Sequence, residues 1–359
     1  MILCILGENG SVHIQKWIKA ISQYQQINVH IITFDRGMKF PEVTYHFLKK
    51  FTGTKIDYLL NIFKVKSYIK SIKPDIIHAH YATSYGFLAA FSGFHPFIIT
   101  GWGADIFDSP NNSWMKKLLI NSFKKADAIT VLSNITRKEI AKLTDKEVQL
   151  IPFGVDLNKF FPRKANSTDI IKIGTIRTLS EKYGVEYLIR AFALICEKHQ
   201  NIQLEIVGDG PLRTYLENLV VELGIEKKVV FHGYVNQNLL FEQYIKILGS
   251  LDIFAILSIL DSETFGVAAV EASACGIPVV ATSVGGLPEV IESEKTGIIV
   301  PPKNVVATAK ALDSLISDEK LRIEMGKNGR KKVEEKYNWK TNIEQMIQLY
   351  SNVIEKSKL

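Results

Sequence analysis

Two glutamates, Glu263 and Glu271, stand eight residues apart in the segment SETFGVAAVEASACGIPVVATSVGGLPEV. A helix opening at this point returns the second glutamate to nearly the same side after two turns. The two carboxylates then bracket a helix N-terminus, where unpaired N–H groups and the positive end of the dipole attract anions. Gly266 carries no side chain to keep a diphosphate from the backbone. Carboxylates beside such a terminus are suited to accept hydrogen bonds from ribose and sugar hydroxyls. An amphipathic helix with solvated glutamates has the same residue pattern.

Upstream, IKIGTIRTLSEKYGVEYLIRAF reads as a strand, a polar loop with Arg177 and Lys182, and a helix. Two cations at the carboxyl end of a strand can neutralise a departing diphosphate, although solvated surface charges look alike in sequence. After the glutamates, GIPVVAT reads as a buried strand and SVGGLPEV as a tight glycine loop. Both polar loops therefore follow strands, at the end of an open α/β sheet where ligands bind.

The elements that must position these residues repeat along the chain. Short apolar runs alternate with helical segments: MILCIL, NVHIITF, DIIHAH, PFIIT and AITVL, then IIKIGTI, QLEIVG, VVFHG, IFAIL and IPVVAT. That alternation predicts parallel sheets with crossover helices. At 359 residues the chain has the length of two such units. FFPRKANSTDI interrupts every apolar period and is the expected linker. The ending WKTNIEQMIQLYSNVIEK places Trp339, Ile343, Met346, Ile347, Tyr350 and Ile354 on one face, which predicts a helix docked on a core.

Composition narrows the classes. Apolar residues at 47% with 23% charged residues describe a globular chain without a long disordered tract. Cys4, Cys196 and Cys275 are scattered, giving neither a disulfide framework nor a metal-ligand spacing, so a reducing compartment is expected. MILCILGENG has no basic leader and suits a first buried strand better than a signal peptide. The uncharged stretch YATSYGFLAAFSGFHPFIITGWGA is broken by Pro96 and glycines, so a buried helix followed by a strand is expected, not a membrane span. His78 and His80 alternate at strand spacing near Asp75, but no cysteine or carboxylate completes a metal set.

Charge is uneven. Residues 1–160 carry 20 Lys/Arg against 12 Asp/Glu, so the net +7 belongs to the first half. It concentrates in HFLKKFTGTKIDYLLNIFKVKSYIKSIKPD, where Lys49, Lys50, Lys55, Lys64, Lys66, Lys70 and Lys73, against only Asp57 and Asp75, interleave with Phe47, Phe51, Tyr58, Leu59, Leu60, Ile62, Phe63 and Ile69. A segment of this kind can lie on an anionic membrane surface, or be a solvated helix covering its own core. No nucleic-acid-binding module accompanies the charge, and no nucleic-acid partner is expected.

Together these segments, with VGDGPLR, FHGYV, PDIIHAHYATSYG, TGWGAD, ADAITVLSN and IPFGVDLNKFFP, resemble glycosyltransferase family 4 over essentially the whole chain. The resemblance implies the GT-B fold: two Rossmann-like α/β domains with parallel sheets facing across a cleft. The first would span 1–162, with the C-terminal helix 340–359 crossing back to it, and the donor domain 168–339. It further implies that Glu263 contacts the donor sugar, that Phe265, Gly266 and Val267 run over sugar and phosphate, and that Glu271 binds ribose. Arg177 and Lys182 would stabilise the departing nucleotide diphosphate, and Gly233, Tyr234 and Val235 would read the base. In the first half, Gly7 and Gly10 fall in the loop that closes over phosphates and acceptor, and Asp105 matches a family aspartate that orders its loop or accepts from a sugar hydroxyl. Trp102 stands where the family commonly has histidine, and an indole N–H donates but cannot act as a base.

The expected function is a retaining, metal-independent transfer of a hexose-type sugar from a nucleotide sugar to an acceptor glycan or glycolipid, in bacterial surface polysaccharide or glycolipid synthesis. No cofactor is expected, and the location implied is cytoplasmic, peripheral on the inner face of the plasma membrane. Two rivals are an NAD-dependent sugar epimerase or dehydrogenase, whose dinucleotide fingerprint is missing, and a nucleotide-sugar or glycan binding protein without activity.

Overall fold

The computed structural model describes residues 1–107, 113–162, 169–237 and 240–358. The chain forms two compact units, Met1–Pro152 with Thr341–Leu359, and Phe153–Lys340.

In the first unit the strands are β1 (Ile2–Leu6), β2 (Asn28–Thr33), β3 (Val43–Phe47), β4 (Ile76–His80), β5 (Phe97–Gly101), β6 (Ala128–Val131) and β7 (Val148–Leu150). They form one parallel sheet in the order β3-β2-β1-β4-β5-β6-β7. The second unit has β8 (Ile171–Ile176), β9 (Ile202–Val207), β10 (Val229–Gly233), β11 (Ile253–Ile256), β12 (Val279–Thr282) and β13 (Gly297–Val300). These too are parallel, in the order β10-β9-β8-β11-β12-β13. The expected pair of Rossmann-like domains is therefore present. In each sheet the strand order reverses once, between β1 and β4 and between β8 and β11, and a crevice at such a switch point is where these folds bind ligands.

The apolar runs become central strands because helices cover both sheet faces. Every residue of β4, β5, β11 and β12 is buried. Against the second sheet the helix Val185–Cys196 buries Leu188, Ile189 and Phe192 among Ile173, Leu204 and Leu312. Each such side chain contributes about 1.5–3 kcal/mol on leaving water.

The first unit ends earlier than the expected boundary at 162. Val155 N–H donates to Tyr337 O at 2.8 Å, and Trp339 N–H to Val155 O at 3.0 Å. Arg330 Nη1 donates to Phe160 O at 2.6 Å, and Phe160 meets the edges of Phe241 and Tyr244. Residues 153–162 thus pack within the second unit, to which their backbone groups are bonded. Of the expected linker, residues 163–168 lie outside the described residues.

The terminal helix Trp339–Lys356 buries Ile343, Met346, Leu349, Tyr350 and Val353. Ile347 and Ile354, expected on that face, are only half-buried. The uncharged stretch becomes a helical run through Ser92 and then β5. Among the described residues no helix is long and apolar enough to cross a membrane.

Candidate active site

Arg177 follows β8 directly, and Ser258 and Glu263 follow β11, so the switch point of the second sheet brings them together. Arg177 Nη2 donates to Glu263 Oε2 and lies 3.4 Å from Ser258 Oγ. Ser258 Oγ donates to the same carboxylate oxygen at 3.0 Å, and Thr282 Oγ1 fixes the Ser258 carbonyl at 2.6 Å. The guanidinium also lies 4.3 Å over the Tyr183 ring. Burial lowers the Arg177 pKa to about 10, which leaves it cationic at neutral pH. Its Nε–H is buried and finds no acceptor among the described residues. Lys182 Nζ donates to Ser262 O at 3.2 Å, alongside the same loop.

Glu271 is set differently. The helix runs Val267–Ala274 and opens at Gly266, not at Glu263, so the two glutamates do not share a helix face. Glu271 lies inside the helix, 2% exposed, and accepts from Gln237 Nε2 at 2.9 Å and from the Tyr244 hydroxyl. Burial and the neighbouring carboxylate push the Tyr244 hydroxyl well above its ordinary pKa, so it stays protonated and donates. Gly266 takes φ 76°, and a Cβ there would come 2.5 Å from Leu287 Cδ2. Glycine is the residue that reaches this conformation at no steric cost.

The surrounding loops lie backbone against backbone. A Cβ on Gly208 would sit 1.8 Å from Arg177 O, and one on Gly184 2.0 Å from Leu257 O. Gly285 and Gly286 crowd the Glu263 and Thr264 carbonyls at 2.0 and 1.9 Å in the same sense, and Gly286 N–H donates to Glu263 O at 2.9 Å. Phe265 is buried beside Tyr337, while Val267 begins the helix. Gly233 ends β10, Tyr234 is 64% exposed and Val235 is buried. The structure therefore gathers Arg177, Lys182, Glu263 and Gly266 round one switch point, with Glu271 one helical turn further on.

Sequence reasoning missed Ser258, Tyr183, Tyr244 and Gln237. Tyr183 could have been found beside Lys182, but Tyr244 and Gln237 come from a different strand–helix segment and carry no motif.

In the first unit, Gly7 follows β1 and lies against His80, since a Cβ there would meet Ile14 at 3.3 Å and His80 Cδ2 at 3.6 Å. Gly10 is exposed near Asp35. Trp102 is buried, stacks on Tyr81, and donates its indole N–H to His80 Nδ1 at 3.2 Å. With Nδ1 accepting, the His80 proton must sit on Nε2, which meets no partner among the described residues. Asp105 accepts from the N–H groups of Ala82 at 2.6 Å, Trp102 at 3.0 Å and Gly103 at 2.9 Å. Burial raises the Asp105 pKa against the opposing pull of these bonds. Both its oxygens are occupied in ordering the loop.

His78 bonds Tyr350 Oη through Nδ1 at 2.7 Å and Thr100 Oγ1 through Nε2 at 2.6 Å. Both ring nitrogens are used, as in a core histidine. No cluster of three or more metal-ligating side chains occurs among the described residues.

Residues 158–332 match the family described as "Glycosyl transferases group 1", and residues 3–133 the one described as "Glycosyl transferase 4-like". An uncharacterized glycosyltransferase of Methanocaldococcus jannaschii is 35% identical over 250 residues, 66% of this chain and 62% of its own length. The GDP-mannose-dependent alpha-(1-6)-phosphatidylinositol monomannoside mannosyltransferase of Mycolicibacterium smegmatis is 30% identical over 242 residues, 63% of this chain and again 62% of its own. Among solved structures, sucrose-phosphate synthase of Thermosynechococcus elongatus superposes with a TM-score of 0.84 at 22% identity, over 99% of this chain and 100% of that one. Motifs along both units, two parallel Rossmann-like sheets and these matches agree, and the chain belongs to glycosyltransferase family 4 in its GT-B form.

Proposed function

We propose that this protein transfers a hexose-type sugar from a nucleotide diphosphate sugar to an acceptor hydroxyl, with retention of anomeric configuration and without a bound metal. The observation that carries the reading is the buried Arg177 guanidinium at the β8/β11 switch point, with one N–H unsatisfied among the described residues. An unpaired buried donor on a cation is costly, and an anionic ligand would satisfy it. Lys182 and the glycine-opened helix terminus at Gly266 lie on the loops around the same switch point and favour the same charge.

In this reading Arg177 and Lys182 hold the diphosphate as negative charge grows on it, and Glu263 orients the donor sugar between Arg177 and Ser258. Glu271, held by Tyr244 and Gln237, accepts from the ribose hydroxyls, and Gly233 to Val235 face the base. No side chain is assigned as a nucleophile, so the acceptor attacks from the face that the diphosphate leaves, and the leaving phosphate takes up the acceptor proton. Positioning supplies much of the remaining rate.

The acceptor is read as a glycan or glycolipid of a bacterial surface, with the first unit resting on an anionic membrane from the cytoplasmic side. The phosphatidylinositol monomannoside named for the mannosyltransferase relative gives this support, as do the exposed lysines of residues 49–73. The test is a thermal-shift panel of nucleotide sugars, followed by transfer from the best donor with the product's anomeric configuration read by proton NMR. A ligand that binds only the folded state raises the melting temperature. Absence of a shift with every nucleotide sugar, or an inverted product, would overturn the proposal.

A further inference from the structure

The first unit holds a cavity of about 380 Å³ that the transfer chemistry does not use. Its wall is formed mainly by Ile56, Leu59, Phe87, Met115, Leu118 and Leu119. Phe87, Met115 and Leu119 are buried at its back, whereas Ile56 and Leu59 are 54% and 47% exposed. The volume is that of a small-ligand site, but the lining offers few polar groups to orient a polar ligand.

The chain segment that supplies Thr54–Leu59 to the lining carries further apolar groups on either side of it. Phe51, Leu60 and Phe63 are 57%, 52% and 82% exposed on the same stretch of chain. Exposed large apolar groups in a cluster mark an interaction surface. They are not frayed: Asp57 accepts from the N–H groups of Phe51, Thr52 and Gly53 at 2.8–3.0 Å, and the helix Ile62–Ile72 buries Val65, Ile69 and Ile72. Lys49, Lys50, Lys55, Lys64, Lys66 and Lys70 alternate with them along the chain, all exposed; Lys49 Nζ lies 5.2 Å over the Phe51 ring, and Lys50 pairs with Asp35. A second copy of the chain would bring like charges face to face, whereas an anionic lipid supplies both the apolar chain and the opposite charge. Ala82 and Thr83 also line the cavity. They belong to the helical segment Tyr81–Tyr85 that follows β4, at the carboxyl end of the first sheet's switch point. A chain seated in the cavity would thus carry its head group toward the edge where this fold binds substrates.

We propose that this cavity takes a hydrocarbon chain of the anionic lipid that carries the acceptor. The inference rests on the reading of the protein as a transferase with a lipid-borne acceptor. The probe is dodecyl phosphate, titrated into the full chain by calorimetry below its micelle concentration, with inorganic phosphate as the control. The expected result is saturable one-to-one binding of dodecyl phosphate and none of phosphate. Leu118→Trp, which fills the cavity, and Ile56→Glu, which puts a charge at its exposed mouth, should each weaken binding at least tenfold. Both should keep the wild-type thermal shift with a nucleoside diphosphate, which reports an intact donor unit. No saturable binding to wild type, or wild-type affinity in both variants, would overturn the proposal. Leu118→Trp should also still sediment with plain phosphatidylglycerol vesicles; loss of that binding would show that bulk bilayer lipid fills the cavity and would sink the acceptor assignment. Failure of all sugar transfer while dodecyl phosphate is still held would instead mark the failure of the underlying functional reading.

Discussion

The Tyr350 hydroxyl on the terminal helix lies 2.7 Å from His78 Nδ1 in the middle of β4. The bond ties residues 272 positions apart into one core, and Thr100 occupies the other ring nitrogen. Tyr350→Phe leaves His78 buried with one unmade bond, which costs about 1–3 kcal/mol. Urea denaturation of the variant should show this loss with little change in slope.

Burial holds the His78 pKa down at about 3, and His80 beside it is also well below the usual histidine value. An unfolded chain binds protons at both sites from about pH 6.5 downward while the folded chain does not. Stability is therefore fully present above that pH and falls as pH drops toward the folded value, by up to about 1.4 kcal/mol per pH unit for each histidine. Unfolding free energies measured at pH 7, 6 and 5 should follow this slope, and His78→Gln should flatten it.

Lys182→Ala is expected to lower turnover by about 2–4 kcal/mol of barrier while donor affinity changes little, because the charge it meets grows toward the transition state. Steady-state kinetics with the identified donor separate the two effects. Arg177→Ala should do the same and also destabilise the fold by about 3–5 kcal/mol, because it leaves the buried Glu263 carboxylate without its cation. Near wild-type turnover in both variants would remove the donor-site assignment.

Tyr244→Phe takes a donor from the buried Glu271. Its effect should fall on nucleotide binding and not on the chemical step, weakening affinity for the free nucleoside diphosphate by about 1 kcal/mol. Calorimetric titration of the variant checks it, and an unchanged affinity would place the ribose elsewhere.

Replacing Lys64, Lys66 and Lys70 with glutamate should abolish binding to anionic vesicles, since each lysine near such a surface contributes about 1 kcal/mol, screened by salt. Sedimentation with anionic and neutral vesicles at low and high salt is the measurement. Equal binding of wild type to both vesicle types would point to a soluble acceptor.

Ten apolar runs were readable as strands because nearly all of them are inner strands with an apolar sequence; VVFHG, the edge strand β10, was readable from its apolar run although it is mostly half-buried. β3, β7 and β13 were not, for physical reasons. β3 is VTYHF, half-exposed at a sheet edge; β7 is only VQL; and β13 begins with glycine. The domain boundary was displaced because Val155 and Phe160 look like the end of the first unit in sequence, and only their bonds to Tyr337 and Arg330 assign them to the second. At the candidate site, Arg177, Lys182, Glu263 and Glu271 were visible as charges near glycine. Their partners were not, because Ser258, Tyr244 and Gln237 are ordinary residues: Ser258 gains its role only when β8 and β11 lie side by side and bring Arg177 to it, and Tyr244 and Gln237 only when their segment is brought beside Glu271. Trp102 was seen as a departure, but the indole's bond to His80 requires two strands side by side.

Mutational scanning of the second unit would mislead if it relied on removing atoms. Gly184, Gly208, Gly285 and Gly286 have no side chain to remove, and at each of them alanine adds a carbon within 2.0 Å of a backbone carbonyl. The tolerance map of the unit should therefore be inverted here: the smallest possible enlargement should be as disruptive as deleting a charged residue. Sequence drift in this protein should run through its surface lysines long before it reaches these four positions.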